Sequence, residues 1–386
     1  MSEPVSARRI REIDLHVTNR CNLTCAHCSV DSGRTPYAEL PLDVWRAVID
    51  QAVAVGCEYF DLTGGEPVLY PGVDDIIRHV TGVGRHLELQ TNGLYLTREK
   101  LQRLHDAGLR ELVISLDGER ATHDRMRGRS GAFDETLGGI RRAIECGFSV
   151  RITRVIARDE DVADFEPFAR RLDALGVAQL SLNRFSPVTP VHFLTSKVPE
   201  AMRWRHFIDD IERVARTVRY RITYEVGYAS ADEMSEYGDE EVRCLIERRK
   251  WFLIRADGDV FPCYHFVHSP MMSLGNVARD PLAFLAGDDN PAWRRYAAIA
   301  DVPAECSGCA FHDTCRGGCP SPGYLQRGSL ALKDPRCAVE QGLVPICPFI
   351  KRTAGTQHRT NISPYYYAAG TAPAVTAIPP DAAASR

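Results

Sequence analysis

The sequence predicts an α/β protein: a partial (β/α)6 barrel of the TIM type with a cysteine-rich domain after it. Three observations carry this. Strand-like and helix-like stretches alternate without a break from about residue 10 to 226, the signature of parallel βα units. The unusual loops fall directly after predicted strands, at the end of a barrel where functional loops gather. From Arg243 onward the alternation stops and cysteines accumulate. The chain divides accordingly into a polar arm (1–9), the barrel (10–226), the cysteine-rich domain (227–351) and an Ala-, Thr- and Pro-rich tail (352–386).

Taken in order, residues 11–17 alternate apolar and polar and predict the first strand. Leu42, Trp45, Val48, Ile49, Ala52 and Val53 recur at helical spacing, so 40–55 reads as a helix closed by Gly56. A strand over 59–62 then ends in Thr63-Gly64-Gly65-Glu66-Pro67. The unit repeats as helix 73–83 with strand 86–90, helix 97–107 with strand 111–116, and helix 133–146 with strand 149–156. Helix 162–175 precedes strand 178–183, and helix 200–217 precedes strand 220–226. The stretch from His123 to Phe133 reads as the loop after the fourth strand. The tail lacks apolar periodicity, apart from Tyr365-Tyr366-Tyr367, which could dock on the body.

Composition excludes some classes. Apolar content of 44% and charged content of 25% suit a soluble globular chain. The net charge of −4 and the absence of a basic tail speak against nucleic acid. The polar first nine residues carry no apolar signal region, and no run reaches the length of a membrane span. A cytoplasmic protein with no membrane partner is expected. Thirteen cysteines in a reducing compartment argue for metal rather than disulfides. Eleven of them fall within 21–28 and 244–347; Cys57 and Cys146 read as small core residues.

Cys21, Cys25 and Cys28 form a C-x3-C-x2-C loop after the first strand. Three thiolates are one short of a closed tetrahedral site, and soft sulfur ligands select zinc, copper(I) or iron–sulfur. A zinc loop completed by His27 or a distant residue is the plain alternative. The spacing, with aromatic His27 before the third Cys, resembles the cluster loop of the radical S-adenosylmethionine (AdoMet) superfamily. That resemblance implies a [4Fe-4S] cluster on these three thiolates, with one iron left to chelate AdoMet. It further implies that the Gly64-Gly65-Glu66-Pro67 segment binds the AdoMet amino group and that Thr63 just before it reaches AdoMet, with Asn92 and Ser115 at other AdoMet-facing strand ends and His27 near the adenine. An arginine on the fifth strand, Arg154 or Arg151, is expected at the AdoMet carboxylate, where a guanidinium fork suits the geometry.

Further on, the spacings C-x13-G-x4-C from Cys244 to Cys263 and C-x2-C-x5-C-x3-C-x17-C from Cys306 to Cys337 resemble the SPASM domain, which carries two auxiliary [4Fe-4S] clusters. A zinc site could take Cys306, Cys309, Cys315 and Cys319, but would strand Cys244, Cys263 and Cys337. The resemblance implies instead that Cys306, Cys309, Cys315 and Cys337 hold the outer cluster, and Cys244, Cys263 and Cys319 the inner one. Its fourth position falls either to Cys347 or to substrate. Where sulfatase-maturing relatives place an Asp after the second SPASM Cys, this chain has Tyr264 and then His265. Formylglycine formation is therefore not expected, and Tyr264 and His265 stand as candidates for proton or electron transfer, or for simple packing.

The resemblance implies an oxidoreductase that reductively cleaves AdoMet and abstracts hydrogen from a substrate carbon, with flavodoxin or ferredoxin as electron donor. Relatives with two auxiliary clusters mostly oxidise or cross-link ribosomally made peptides in natural-product maturation. The first strand begins near residue 11 and leaves no room for an N-terminal recognition domain. A separate peptide-recognition protein is then expected, or else a small substrate (sugar, amino acid or tetrapyrrole) that is dehydrogenated, epimerised or decarboxylated. A non-catalytic Fe–S or zinc scaffold would keep the cysteines without needing the Gly64-Gly65 loop or Ser115.

Overall fold

The structure, a computed structural model, describes residues 10–34, 37–188, 199–234, 244–355 and 359–360. The predicted arm at 1–9 and the tail from 361 onward, with Tyr365–Tyr367, lie outside the described residues.

Strands β1 (Glu12–Thr18), β2 (Tyr59–Gly64), β3 (His86–Thr91), β4 (Glu111–Ser115), β5 (Ser149–Ile156), β6 (Gln179–Arg184) and β7 (Arg221–Glu225) pair side by side and parallel. Helices α1 (Leu42–Ala54), α2 (Val73–Gly82) and α3 (Arg98–Asp106) connect the first four strands. α4 (Arg120–Arg127) and α5 (Ala132–Glu145) follow β4, α6 (Phe165–Leu175) follows β5 and α7 (Ala201–Ala215) follows β6. The stretch expected as a loop after the fourth strand is thus largely helical. Asp124 of α4 caps α5 by accepting from the Gly131 and Phe133 amides, both at 2.8 Å.

Each strand puts alternate residues on opposite faces. Ile13, Leu15, Phe60, Leu62, Leu87 and Leu89 are buried against the helices. The other face is polar. In register across four neighbouring strands stand Asp14, Asp61, Glu88 and Glu111. Glu88 is answered by Arg151 of β5 at 2.6 Å, and Gln90 donates to Asp61. The barrel lumen is therefore a hydrogen-bonded polar space, with the apolar core outside it.

After β8 (Tyr228–Ser230) the chain enters the cysteine-rich region, yet that region keeps returning to the barrel. β9 (Trp251–Ile254) pairs parallel to β1, and β10 (Val260–Phe261) pairs with β9. β11 (Leu343–Pro345) pairs with β8. β12 (Lys351–Thr353) runs antiparallel to β7, and β13 (Arg359–Thr360) extends the edge. The result is an eleven-stranded sheet in the order β10-β9-β1-β2-β3-β4-β5-β6-β7-β12-β13. Arg352 and Thr353, read as the start of the tail, belong to the sheet. Among the described residues, no helix is long and apolar enough to cross a membrane.

Candidate active site

The first cysteine loop sits at the C-terminal mouth of β1. Cys21, Cys25 and Cys28 line a single cavity of about 310 Å3 together with Thr63, Gly64 and Asn92. Backbone bonds lock the loop onto the β2 turn: the Gly65 amide donates to Thr18 O and the Glu66 amide to Arg20 O, both at 2.8 Å. A Cβ on Gly64 would lie 2.4 Å from Thr18 O, and one on Gly65 would lie 2.2 Å from Arg20 O. Backbone meets backbone here, so only glycine lets the two loops touch. Asn92 Nδ2 donates to Asn22 Oδ1 at 2.7 Å, tying the β3 end to the same loop.

His27 and Ser115 also line the cavity. His27 Nε2 stands 3.7 Å from Asp117 Oδ2, and Arg127 Nε approaches the same oxygen at 2.8 Å. Arg127 Nη1 donates to Cys25 Sγ at 3.6 Å. His123 Nδ1 accepts from the Asp117 amide at 3.1 Å. Burial works against the Asp117 charge, but Arg127, His27 and His123 hold its carboxyl below the usual range. The sequence offers Arg127 only as one polar residue of the run from His123 to Gly128 and does not single out Asp117 or the contact with Cys25. The signal was present in Asp117-Gly118 at a strand end and in the polar run from His123 to Gly128, but α4 had to be seen before Arg127 could be aimed at Cys25.

Two expected AdoMet contacts are not cavity residues. Glu66 is buried and accepts from Thr91 Oγ1 and the Asn92 amide, both at 2.8 Å. Burial pushes its carboxyl up to about 7. It shapes the β3 end and does not line the cavity. Arg154 is on the helix side of β5: Nη2 bonds Asp164 Oδ1 at 2.5 Å, and the guanidinium lies over the Phe168 ring at 4.8 Å. Strand alternation decides this, since Arg154 shares its face with Ile152 and Ile156. Arg151 does face the lumen, but Glu88 engages it. Thr153 and Val155 are the β5 residues that line the cavity.

The remaining clustered cysteines form two groups, and all thirteen thiols are free. Burial raises the Cys244 thiol strongly, and Cys347, Cys319 and Cys263 add to the effect. The Cys263 thiol feels Cys319 and Cys347 in the same way. Cys347 thus joins the inner group. Cys306 feels Cys309 and Cys337, while Cys315 feels Cys337 and Cys306. Each of these two groups brings together four thiols, the number of ligands that a [4Fe-4S] cluster takes; burial pushes Cys21 and Cys347 up to about 12.

Tyr264 lines the cavity, with its ring 5.2 Å from that of Phe349. His265 does not. It is buried with Nδ1 2.5 Å from Ser321 Oγ, which in turn lies 3.1 Å from Cys319 Sγ. Burial pulls the imidazole down to about 3, so it stays neutral. The side chain packs behind Tyr264, ring centroids 4.3 Å apart, on the side of the inner cysteine group.

Comparison with known proteins agrees with this geometry. The radical SAM superfamily profile matches residues 15–172, and the profile of the SPASM iron–sulfur cluster-binding domain matches 244–310. An AdoMet-dependent heme synthase of Oleidesulfovibrio alaskensis is 26% identical over 346 residues, covering 86% of this chain and 87% of the relative. A PqqA peptide cyclase of Rhodopseudomonas palustris is 27% identical, covering 92% of each. Among solved structures, Streptococcus suis SuiB bound to precursor peptide SuiA superposes with a TM-score of 0.71 at 18% identity, covering 86% of this chain and 76% of SuiB. That likeness shows the fold.

Proposed function

We propose, for a chain that belongs to the radical SAM superfamily and carries a SPASM domain, that it is an oxidoreductase that modifies a ribosomally made peptide by hydrogen abstraction and oxidation. The observation that carries the reading is one cavity lined both by Cys21, Cys25 and Cys28 and by Tyr264, Pro348 and Phe349, which adjoin Cys263 and Cys347 in sequence. Both metal-binding halves of the chain thus face one substrate space.

When bound, a reduced [4Fe-4S] cluster on Cys21, Cys25 and Cys28 with AdoMet supplies a 5′-deoxyadenosyl radical, and the SPASM clusters supply an electron sink. The chain's own residues do the rest. Gly64 and Gly65 bring backbone to the AdoMet side, with Thr63, Asn92, Ser115 and His27 around it. Arg127 offsets charge at Cys25, and Asp117 orients Arg127 and His27. Cys244, Cys263, Cys319 and Cys347 would fill the inner site with four thiolates, which makes it an electron relay and leaves no open iron for substrate. Cys306, Cys309, Cys315 and Cys337 would hold the outer cluster. Tyr264 follows Cys263 and lines the cavity, which makes it the candidate to pass an electron or a proton. The likeness to the heme synthases favours a second reading, in which the substrate is a tetrapyrrole.

The test is anaerobic reconstitution with iron and sulfide, then dithionite, AdoMet and candidate precursor peptides. We expect 5′-deoxyadenosine release and about twelve irons per chain. Cys347→Ala should open the inner site and add a new paramagnetic signal while the nucleoside is still released. Zinc loading without nucleoside release would reject the reading. An unchanged inner-site spectrum in Cys347→Ala would reject the four-thiolate assignment alone.

A further inference from the structure

The cavity has a wall that the radical chemistry does not use. Lys351 of β12 lines it and is buried. Its Nζ donates to Ser181 Oγ at 2.8 Å and also to Asn183 Oδ1. Asn183 Nδ2 donates to Thr153 Oγ1 at 2.9 Å, which fixes the amide with its oxygen toward the lysine. An ammonium has three donors, so one remains. Both partners are neutral, and among the described residues no carboxylate lies within ion-pair distance of Nζ.

The surrounding charges do not close the balance. Glu225 is the cross-strand neighbour of Lys351. Its Oε2 accepts from the Arg184 amide at 3.0 Å. Arg184 also lines the cavity, and its guanidinium donates to Pro199 O, a neutral acceptor. Arg336 faces Glu225 too, but is matched by Asp334 at 2.7 Å. On this wall two cations, Lys351 and Arg184, therefore face one carboxylate, that of Glu225; the other acid that lines the cavity, Asp14, stands on β1. A buried charge without a counter-ion is costly, and a bound carboxylate would supply the missing partner.

We propose that Lys351 anchors a carboxylate carried by the substrate, so that the substrate class is an organic acid whose acidic arm reaches the β6–β7–β12 wall while its reacting carbon lies toward the cysteine loop. Burial draws Lys351 down to about 7, and the neighbouring Glu225 only partly opposes this. An incoming carboxylate would restore the ammonium. The inference rests on the proposed function for its reaction, but not for its binding step. The carboxylate could come from an acidic residue of a peptide or from a propionate of a tetrapyrrole.

The experiment measures equilibrium binding to the reconstituted, AdoMet-loaded protein without reductant, so turnover plays no part. N-acetyl-glutamate is compared with N-acetyl-glutamine, and coproporphyrin III with its methyl ester. The wild type should hold one of the two acids about tenfold more tightly than its uncharged counterpart, and the acid that does so names the source. Lys351→Met should erase that preference, as should Lys351→Gln, which keeps hydrogen bonding and loses only the charge. Lys351→Arg should retain part of it. Iron content reports that each variant is intact. The proposal is overturned if the wild type prefers neither acid, or if the preference survives in both uncharged variants. It is equally overturned if AdoMet affinity falls in parallel, since Lys351 would then serve the AdoMet carboxylate. Failure of the radical reading shows elsewhere, as absent 5′-deoxyadenosine from the reduced wild type.

Discussion

Arg127 is the residue whose removal should be felt furthest. It bonds a fully buried carboxylate, Asp117, and a cysteine of the first loop at once. Arg127→Met takes from buried Asp117 its strongest partner and leaves it His27, His123 and the Val155 amide, which costs up to about 3–5 kcal/mol. It also removes a positive charge beside Cys25. Adding an electron to a site is easier next to a cation, so the reduction potential of the first cluster should become more negative, by tens of millivolts or more on the order set by Coulomb's law. A redox titration followed by electron paramagnetic resonance checks this, with Arg127→Lys falling between; an unchanged potential in Arg127→Met would refute the electrostatic role. At this scale the sequence was a good guide wherever chemistry is local. Cys21, Gly64 and Ser115 stand in short runs whose resemblance to the motifs of a known family, more than their spacing, implies their use. Arg127 and Lys351 do not, because a lone basic residue acquires meaning only from what the fold sets opposite it.

At the scale of elements, strand and helix periods placed nearly every barrel unit, since each strand buries one face in helices and that alternation is written in the residues. Boundaries shifted by a turn at most where caps decide them. Two things were not legible. The polar run after β4 hid α4, whose mean composition is too charged to announce a helix. β12 is three residues long, and it exists because β7 offers an unpaired edge more than a hundred residues earlier. Parity also corrected the strand-five arginine. Arg154 clamps α6 through Asp164 and stacks on Phe168. Arg154→Met should therefore lower stability by about 1–3 kcal/mol, while leaving the apparent KM for AdoMet as it was. Denaturant midpoints together with nucleoside-release kinetics separate the two effects. A rise in KM at unchanged stability would return Arg154 to the AdoMet site.

For the whole molecule, the decisive feature is a barrel with its polar face inward. A lumen lined by acids suits a cavity that must accept charged ligands, and it has an energetic signature. Burial, then Glu12, raises Asp61 to about 8, and burial with Asp61 raises Glu88 to about 8 against the opposing pull of Arg151. In the unfolded chain both titrate near ordinary carboxylate values. The folded protein therefore binds more protons than the unfolded one between those values and about 8, and stability falls with rising pH wherever that holds. The contribution is present in full below the ordinary carboxylate range and is lost as pH rises through about 8. Denaturant midpoints of the reconstituted protein should thus decline between about pH 5 and about 8. Asp61→Asn, which keeps an acceptor for Gln90 and removes one charge from the row, should flatten the decline. A midpoint that rises with pH over this window, or an Asp61→Asn variant as steep as the wild type, would mean that these acids are ionised and solvated in the folded barrel.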